Sequence, residues 1–212
     1  MHHNRNKMTF QDFRSTFQSY PVFSRREIEK LFPGFDRKNL GQWQQKKYLQ
    51  KIRNSWYRLT ETPLDMETLF FISNQIYQPS YISLETALSY YGFIPEGVFK
   101  ITAVSTLKTQ QFETSAGVFG YQNIKTGLFF GYRLNAFGKY FYKIAEPEKA
   151  ILDYIYLHPE LNSESHFEAL RLNVAEMEQT INRATLTQYL EIIKSVTLTR
   201  RVKIMLKFLD NQ

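Results

Sequence analysis

The chain of 212 residues contains no cysteine. That excludes a disulfide framework and a thiolate zinc site, and it fits a reducing compartment. No run of about 18 apolar residues is present, the length a membrane-spanning helix needs. Residues 1–7, Met-His-His-Asn-Arg-Asn-Lys, hold no apolar stretch of the kind a secretory leader requires. These absences predict a soluble, cytoplasmic protein with no membrane association. Three sequence signatures of enzymes are also missing: the Gly-x-x-x-x-Gly-Lys-Ser/Thr phosphate loop, the Gly-x-Gly-x-x-Gly dinucleotide fingerprint and the Gly-x-Ser-x-Gly nucleophile elbow. There is no internal repeat and no low-complexity linker.

What is present is a core-forming composition, 43% hydrophobic and 16% aromatic, enough for one large or two small domains. The net charge of +7 is unevenly placed. Residues 1–62 hold thirteen Lys/Arg against five Asp/Glu, whereas residues 63–212 hold fourteen against fifteen. Charge concentrated in one segment points to a polyanionic partner for that segment, because charge carried for solubility would be spread. The expected division is a basic domain over 1–62 and a second domain over 63–212.

Within the basic segment, Phe10, Phe13 and Phe17 recur at helical spacing behind Thr9, predicting a first helix that ends near Tyr20. Ser24 with Glu27 forms a capping box for a second helix, Arg25 to Leu31, stopped by Phe32-Pro33-Gly34. Asp36 is the expected cap of a third helix reaching about Lys47. One side of it carries Asp36, Leu40, Trp43 and Lys47, and Leu40 and Trp43 should anchor it. The other carries Arg37, Lys38, Gly41, Gln42 and Gln45, with no acid. Arg and Gln are residue types that read guanine and adenine edges in a major groove. Two β-prone runs, Tyr48 to Arg53 and Trp56 to Leu59, flank Asn54-Ser55 and predict a hairpin. Three helices followed by a basic hairpin is the order of a winged helix-turn-helix. The expected DNA-contacting residues are Arg25, Arg26, Arg37, Lys38, Gln42, Gln45, Lys46, Lys51, Arg53 and Asn54. Arg53 and Asn54 at the hairpin tip would reach a minor groove or flanking phosphates.

The second segment opens with Asp65 as cap of a helix through about Tyr77. Pro79 to Ile82 reads as a break, and Ser83 caps a helix, Leu84 to Tyr91, ended by Gly92. Five β-prone runs follow: Lys100 to Ser105, Gln111 to Ser115, Gly117 to Ile124, Leu128 to Leu134 and Lys139 to Ile144. They predict an antiparallel sheet of four or five strands. Pro147 sits in the first turn of a helix running to Leu157, and the chain then reads as helical to its end. The predicted class is α+β: an N-terminal winged helix-turn-helix, then an α+β domain with an antiparallel sheet and a helical C-terminal part.

Chemistry is sparse. The histidines are His2, His3, His158 and His166, and they form no converging metal set. Glu146, Glu148, Lys149 and Asp153 come closest to a nuclease-like cluster. Their spacing is instead that of ordinary helix stabilisers, with acids at the N-terminus and a Lys149–Asp153 pair four apart. Tyr81, Tyr90, Tyr91 and Phe93 read as core or packing residues rather than a cofactor pocket. Arg200, Arg201, Lys203 and Lys207 read as a solvated face, with a second phosphate contact as the alternative. No catalytic residue, metal or cofactor is expected.

Several stretches resemble the AbiEi family of antitoxins: PSYISLETALSYYGFIPE (79–96), TSAGVFGYQNI (114–124), LFFGY (128–132) and IAEPEKAILDYIYL (144–157). The segment GQWQQKKYLQKIRNSWYRL (41–59) resembles that family's winged-helix domain, with Ser55 where the family has a turn glycine. The resemblance covers most of residues 10–160. It implies an antitoxin of a type IV toxin–antitoxin system linked to abortive phage infection. Such a protein would bind inverted repeats in double-stranded DNA of its own promoter and repress it. Its second domain would counter a nucleotidyltransferase-like toxin without a stable complex. The alternatives are a winged-helix regulator with a ligand-sensing second domain, and a DNA-guided nuclease-like enzyme.

Overall fold

A computed structural model describes residues 8–95, 97 and 99–211, so that His2 and His3 lie outside the described residues. The N-terminal unit contains helices α1 (Phe10–Phe17), α2 (Arg25–Leu31) and α3 (Lys38–Gln45) and strands β1 (Phe23–Ser24), β2 (Leu49–Arg53) and β3 (Trp56–Leu59). Its three strands form an antiparallel sheet in the order β1-β3-β2. Both first helices start from complete capping boxes. Asp12 N–H donates to the Thr9 hydroxyl (3.2 Å) and Glu27 N–H to the Ser24 hydroxyl (3.2 Å), with the Asp12 and Glu27 carboxylates returning to the cap N–H groups. Phe13, Phe17, Phe23, Ile28, Leu40, Trp43, Leu49, Tyr57 and Leu59 make the core of this unit.

Two helix boundaries differ from the sequence expectation. α1 stops at Phe17 rather than near Tyr20. α3 spans Lys38–Gln45, because the Asp36 carboxylate accepts from Lys38 N–H (3.0 Å) and leaves Arg37 at the cap. At the other end Lys47 turns left-handed (φ 58°), and Tyr48 N–H closes back on the Trp43 carbonyl (2.9 Å). The two-residue β1 carries no alternation long enough to signal a strand.

The second unit begins with α4 (Met66–Ile76), whose Asp65 cap accepts from Thr68 N–H at 2.8 Å. There follow β4 (Ser80–Ile82), α5 (Leu84–Tyr90), β5 (Lys100–Ser105), β6 (Gln110–Thr114), β7 (Gly117–Asn123), β8 (Tyr132–Phe137), β9 (Tyr140–Ala145), α6 (Pro147–Leu157), α7 (Glu164–Ala169), α8 (Val174–Thr180), α9 (Arg183–Ile193) and α10 (Val196–Asp210). The six strands lie in the order β6-β7-β5-β4-β9-β8. The sheet is mixed, not antiparallel as expected: β5 runs parallel to β7 and β4 parallel to β9. The class is α+β, with helices ahead of the sheet and after it.

β4 corrects the reading of Pro79 to Ile82 as a break. Its three residues are all buried, so no polar alternation marks it, and yet it joins the two halves of the sheet. Strand β8 starts at Tyr132 instead of Leu128, because Thr126–Leu128 forms a 3-10 turn. Gly131 (φ 68°) precedes it, and a Cβ there would lie 3.1 Å from both Lys149 Cγ and Tyr189 Cε2. α4 covers one sheet face, where Phe70 meets Tyr142 and Ser73 accepts from Tyr121. α6 lies on the other, where Asp153 receives Tyr81 and Ser83.

Candidate nucleic-acid interface

Leu40 and Trp43 are buried, and the Trp43 ring packs against Phe13 (4.7 Å) and Phe10 (5.3 Å). This turns Lys38, Gly41, Gln42 and Gln45 outward, all exposed, with exposed Lys46 continuing the stripe. Gln44, one position off the stripe, instead donates back to the Leu40 carbonyl (2.9 Å). Nothing stands within 4 Å of where a Cβ on Gly41 would be, so the middle of the stripe is open. Lys47, assigned by helical spacing to the anchoring side, is exposed, because the helix has already ended and the left-handed turn swings it outward.

Arg37 is exposed and folds back onto helix α2. Its Nε and Nη2 lie 3.0 and 2.8 Å from Glu29 Oε1. Arg25 Nε approaches the same oxygen at 3.5 Å. Arg25 also donates its backbone N–H to the Ser55 carbonyl (2.8 Å), which ties the start of α2 to the hairpin turn. Arg26 is exposed and has no ion-pair partner among the described residues.

The hairpin turn is Asn54-Ser55, with Asn54 exposed at φ 46°, a conformation that asparagine tolerates better than most residues. Lys51 is exposed beside it. Arg53, expected at the hairpin tip to reach DNA, has its guanidinium engaged within the protein. Its guanidinium donates to the Ile76 carbonyl (2.7 Å) and lies over the Phe112 ring at 3.6 Å from the centroid. It faces the second unit because β2 has a register shift between Lys51 and Arg53. Arg58 is also withdrawn: it is 4% exposed and donates to the Gln50 side chain and to the Thr60 and Thr62 carbonyls. Arg14 pairs with Glu61 at 2.7 Å. The charge surplus therefore divides into interior fasteners and an outward set on α2, α3 and Lys51. Tyr48, 44% exposed and stacked on Phe10 (4.5 Å), sits between α3 and the hairpin, and sequence reasoning did not single it out. Its place after a helix stop was the available signal.

In the second unit the acids of α6 turn inward. Lys149 and Asp153 are 1% and 2% exposed and form an ion pair, and Tyr81 and Ser83 donate to the same carboxylate at 2.8 and 2.9 Å. Glu148 accepts from Asn182 N–H (2.6 Å), and Glu146 from the Tyr189 hydroxyl. The expected Lys149–Asp153 pair forms and is buried, and the Glu146 and Glu148 contacts are part-buried ties to α9 and its cap. Ser83 stands at the cap position of α5 but does not cap it, its hydroxyl being committed to Asp153. Burial pushes Asp153 above the ordinary carboxylate pKa against the pull of Lys149, and pushes the Tyr81 hydroxyl well up. Of the tyrosines expected in core or packing positions, Tyr81 is fully buried, and Tyr90 is 43% exposed and packs edge-on against Phe70 and Tyr91. Arg201 is 7% exposed and donates to the Ile155 and His158 carbonyls, so it belongs to the interior and not to a solvated face.

His158 Nδ1 lies 2.8 Å from the Tyr154 carbonyl and His166 Nδ1 2.9 Å from the Ser163 hydroxyl. Among the described residues no three His, Asp or Glu side chains converge to hold a metal ion, and no helix is long and apolar enough to cross a membrane. The chain matches no protein-family model and no curated protein sequence.

Proposed function

We propose that this chain is a DNA-binding autorepressor, with α2, α3 and the β2–β3 hairpin acting as a winged helix-turn-helix. The observation that carries the reading is the outward stripe of α3. It combines Lys38, Gln42, Gln45 and Lys46 around an open Gly41, it has no acid, and it is set on a rigid aromatic core. Arg25, Arg26, Lys51 and Asn54 flank it and suit the phosphate backbone. With the AbiEi resemblance, the function best supported is that of a cytoplasmic type IV antitoxin. It represses its own promoter and counters a nucleotidyltransferase-like toxin, and it needs no catalytic residue, metal or cofactor.

The test is a titration onto DNA from upstream of the gene and onto scrambled DNA over a range of salt. The expected result is a preference of about a thousandfold or more for upstream DNA, with a steep salt slope. Equal weak binding to both would reject specific repression.

One observation favours a second reading, a ligand-responsive regulator. A cavity of about 340 Å³ is lined by Lys100, Gln111, Gln122 and His158 among others, and its strand β6 also carries Phe112, which holds Arg53. Operator release on adding a small polar metabolite would support it.

A further inference from the structure

Glu29 is an acid standing among the basic groups of α2 and α3. An acid on a surface that meets a polyanion is repelled by it, so its position calls for a reason. Capping is not the reason, because Glu27 closes the box on Ser24. Nor is burial, since the Glu29 side chain is 38% exposed. What distinguishes Glu29 is its contacts. A single oxygen, Oε1, takes Arg37 Nε and Nη2 at 3.0 and 2.8 Å and lies 3.5 Å from Arg25 Nε. Arg37 is the cap residue of α3, and Arg25 is the first residue of α2 and hydrogen-bonded through its backbone to the hairpin turn at Ser55. One carboxylate thus joins α2 to the start of α3, beside the backbone link from Arg25 to the hairpin turn.

We infer that Glu29 is a positioning residue of the DNA-reading face, holding the Arg37 guanidinium group in the orientation that meets DNA. This rests on the reading of that face as DNA-binding. Arginine is a long side chain that loses rotamer entropy when it is ordered. The carboxylate fixes one edge of the planar guanidinium of Arg37 before DNA arrives and leaves its other donors on an exposed group. The cluster keeps a net positive charge, so it still attracts phosphate.

The inference predicts an effect opposite in sign to simple electrostatics. Removing an acid should strengthen all DNA binding if charge alone matters. If Glu29 positions Arg37, Glu29→Gln weakens binding to the upstream DNA about tenfold, a fraction of the discrimination one bidentate arginine contact supplies. Binding to scrambled DNA stays equal or tightens, and the salt slope does not flatten. In an Arg37→Ala background, Glu29→Gln then changes upstream affinity less than about twofold, because the coupling is gone. Thermal melting verifies that the variants stay folded, as expected when an exposed ion pair is removed. A wild type without preference for upstream DNA rejects the DNA reading and the inference together. A wild type with that preference, and a Glu29→Gln variant that binds upstream DNA as tightly or more tightly, overturns the inference alone. So does a loss that persists undiminished when Arg37 is absent.

Discussion

Asp153 is held by Lys149, Tyr81 and Ser83 in an interior with almost no access to water. Its carboxylate pKa is raised chiefly by burial. A raised folded-state value means that its contribution to stability is full below the ordinary carboxylate range and declines as pH rises through that value. Asp153→Asn leaves the Lys149 ammonium buried without its counter-ion, so urea unfolding at neutral pH should show a loss of about 3–5 kcal/mol. A Lys149→Met/Asp153→Leu pair removes both charges and should cost clearly less, with its disadvantage shrinking further as pH is raised from acid to neutral. A double variant as damaged as the single one would contradict this account. Arg53 and Lys51 make a second residue-scale contrast. Lys51→Ala should leave stability nearly unchanged and flatten the salt slope of DNA binding by about one unit. Arg53→Ala loses the Ile76 hydrogen bond and the Phe112 contact, so it should cost about 2 kcal/mol of stability and leave the slope intact. Equal slope changes in the two variants would return Arg53 to the DNA surface.

At the scale of the element, α3 has eight residues and a glycine in its middle. Gly41 has ordinary helical geometry and open space around it, so neither strain nor internal crowding accounts for it. Gly41→Ala should therefore stabilise the protein by about 1 kcal/mol. The same methyl group would stand on the face proposed to lie in the groove, and upstream DNA affinity should fall while stability rises. A melting curve paired with a DNA titration separates the two effects. A variant that is more stable and binds equally well would show that DNA keeps its distance from Gly41. The hairpin is a second case. Its existence follows from two β-prone runs around an asparagine, but the register shift that aims Arg53 at the second unit depends on what lies beneath it.

For the whole molecule, the two hydrophobic cores are not separated cleanly at residue 62. Val22 and Ile52 belong to the core of the second unit, and Trp56 packs against it. Lys139 and Tyr140 in turn reach Ser19 at 3.2 and 3.0 Å, and Ser115 donates to the Lys51 carbonyl at 3.4 Å. A fragment ending at residue 62 would expose Val22 and Ile52, each worth about 1.5–3 kcal/mol when fully buried. It should unfold at lower urea than the full chain. In the full chain both tryptophans, Trp43 and Trp56, lie in the N-terminal unit, whereas most helix lies in the second. Tryptophan fluorescence and far-UV circular dichroism should report one coincident transition. Two separated transitions would show that the units fold independently. Arg53 is the hairpin residue that contacts Phe112 and the Ile76 carbonyl of the second unit.

Much of this architecture can be read from the chain because its causes are local. The capping boxes at Thr9 and Ser24, the Asp65 cap, Pro147 in the first turn of α6 and the β2–β3 hairpin each depend on groups a few residues apart. The concentration of positive charge before residue 63 and the outward stripe of α3 are likewise properties of order and spacing. The tertiary structure alone decided which charges face outward. Arg53, Arg201 and Asp153 look like surface residues in a sequence, but each meets a partner far along the chain: Ile76 for Arg53, Ile155 and His158 for Arg201, and Tyr81 and Ser83 for Asp153. It also decided that Ser80–Ile82 joins two half-sheets, since a strand buried on both sides has no alternation to betray it. A short-range pattern can specify a helix or a turn. The partner of a buried charge or a central strand is set by packing between segments far apart in the chain, and that information resides in the folded whole.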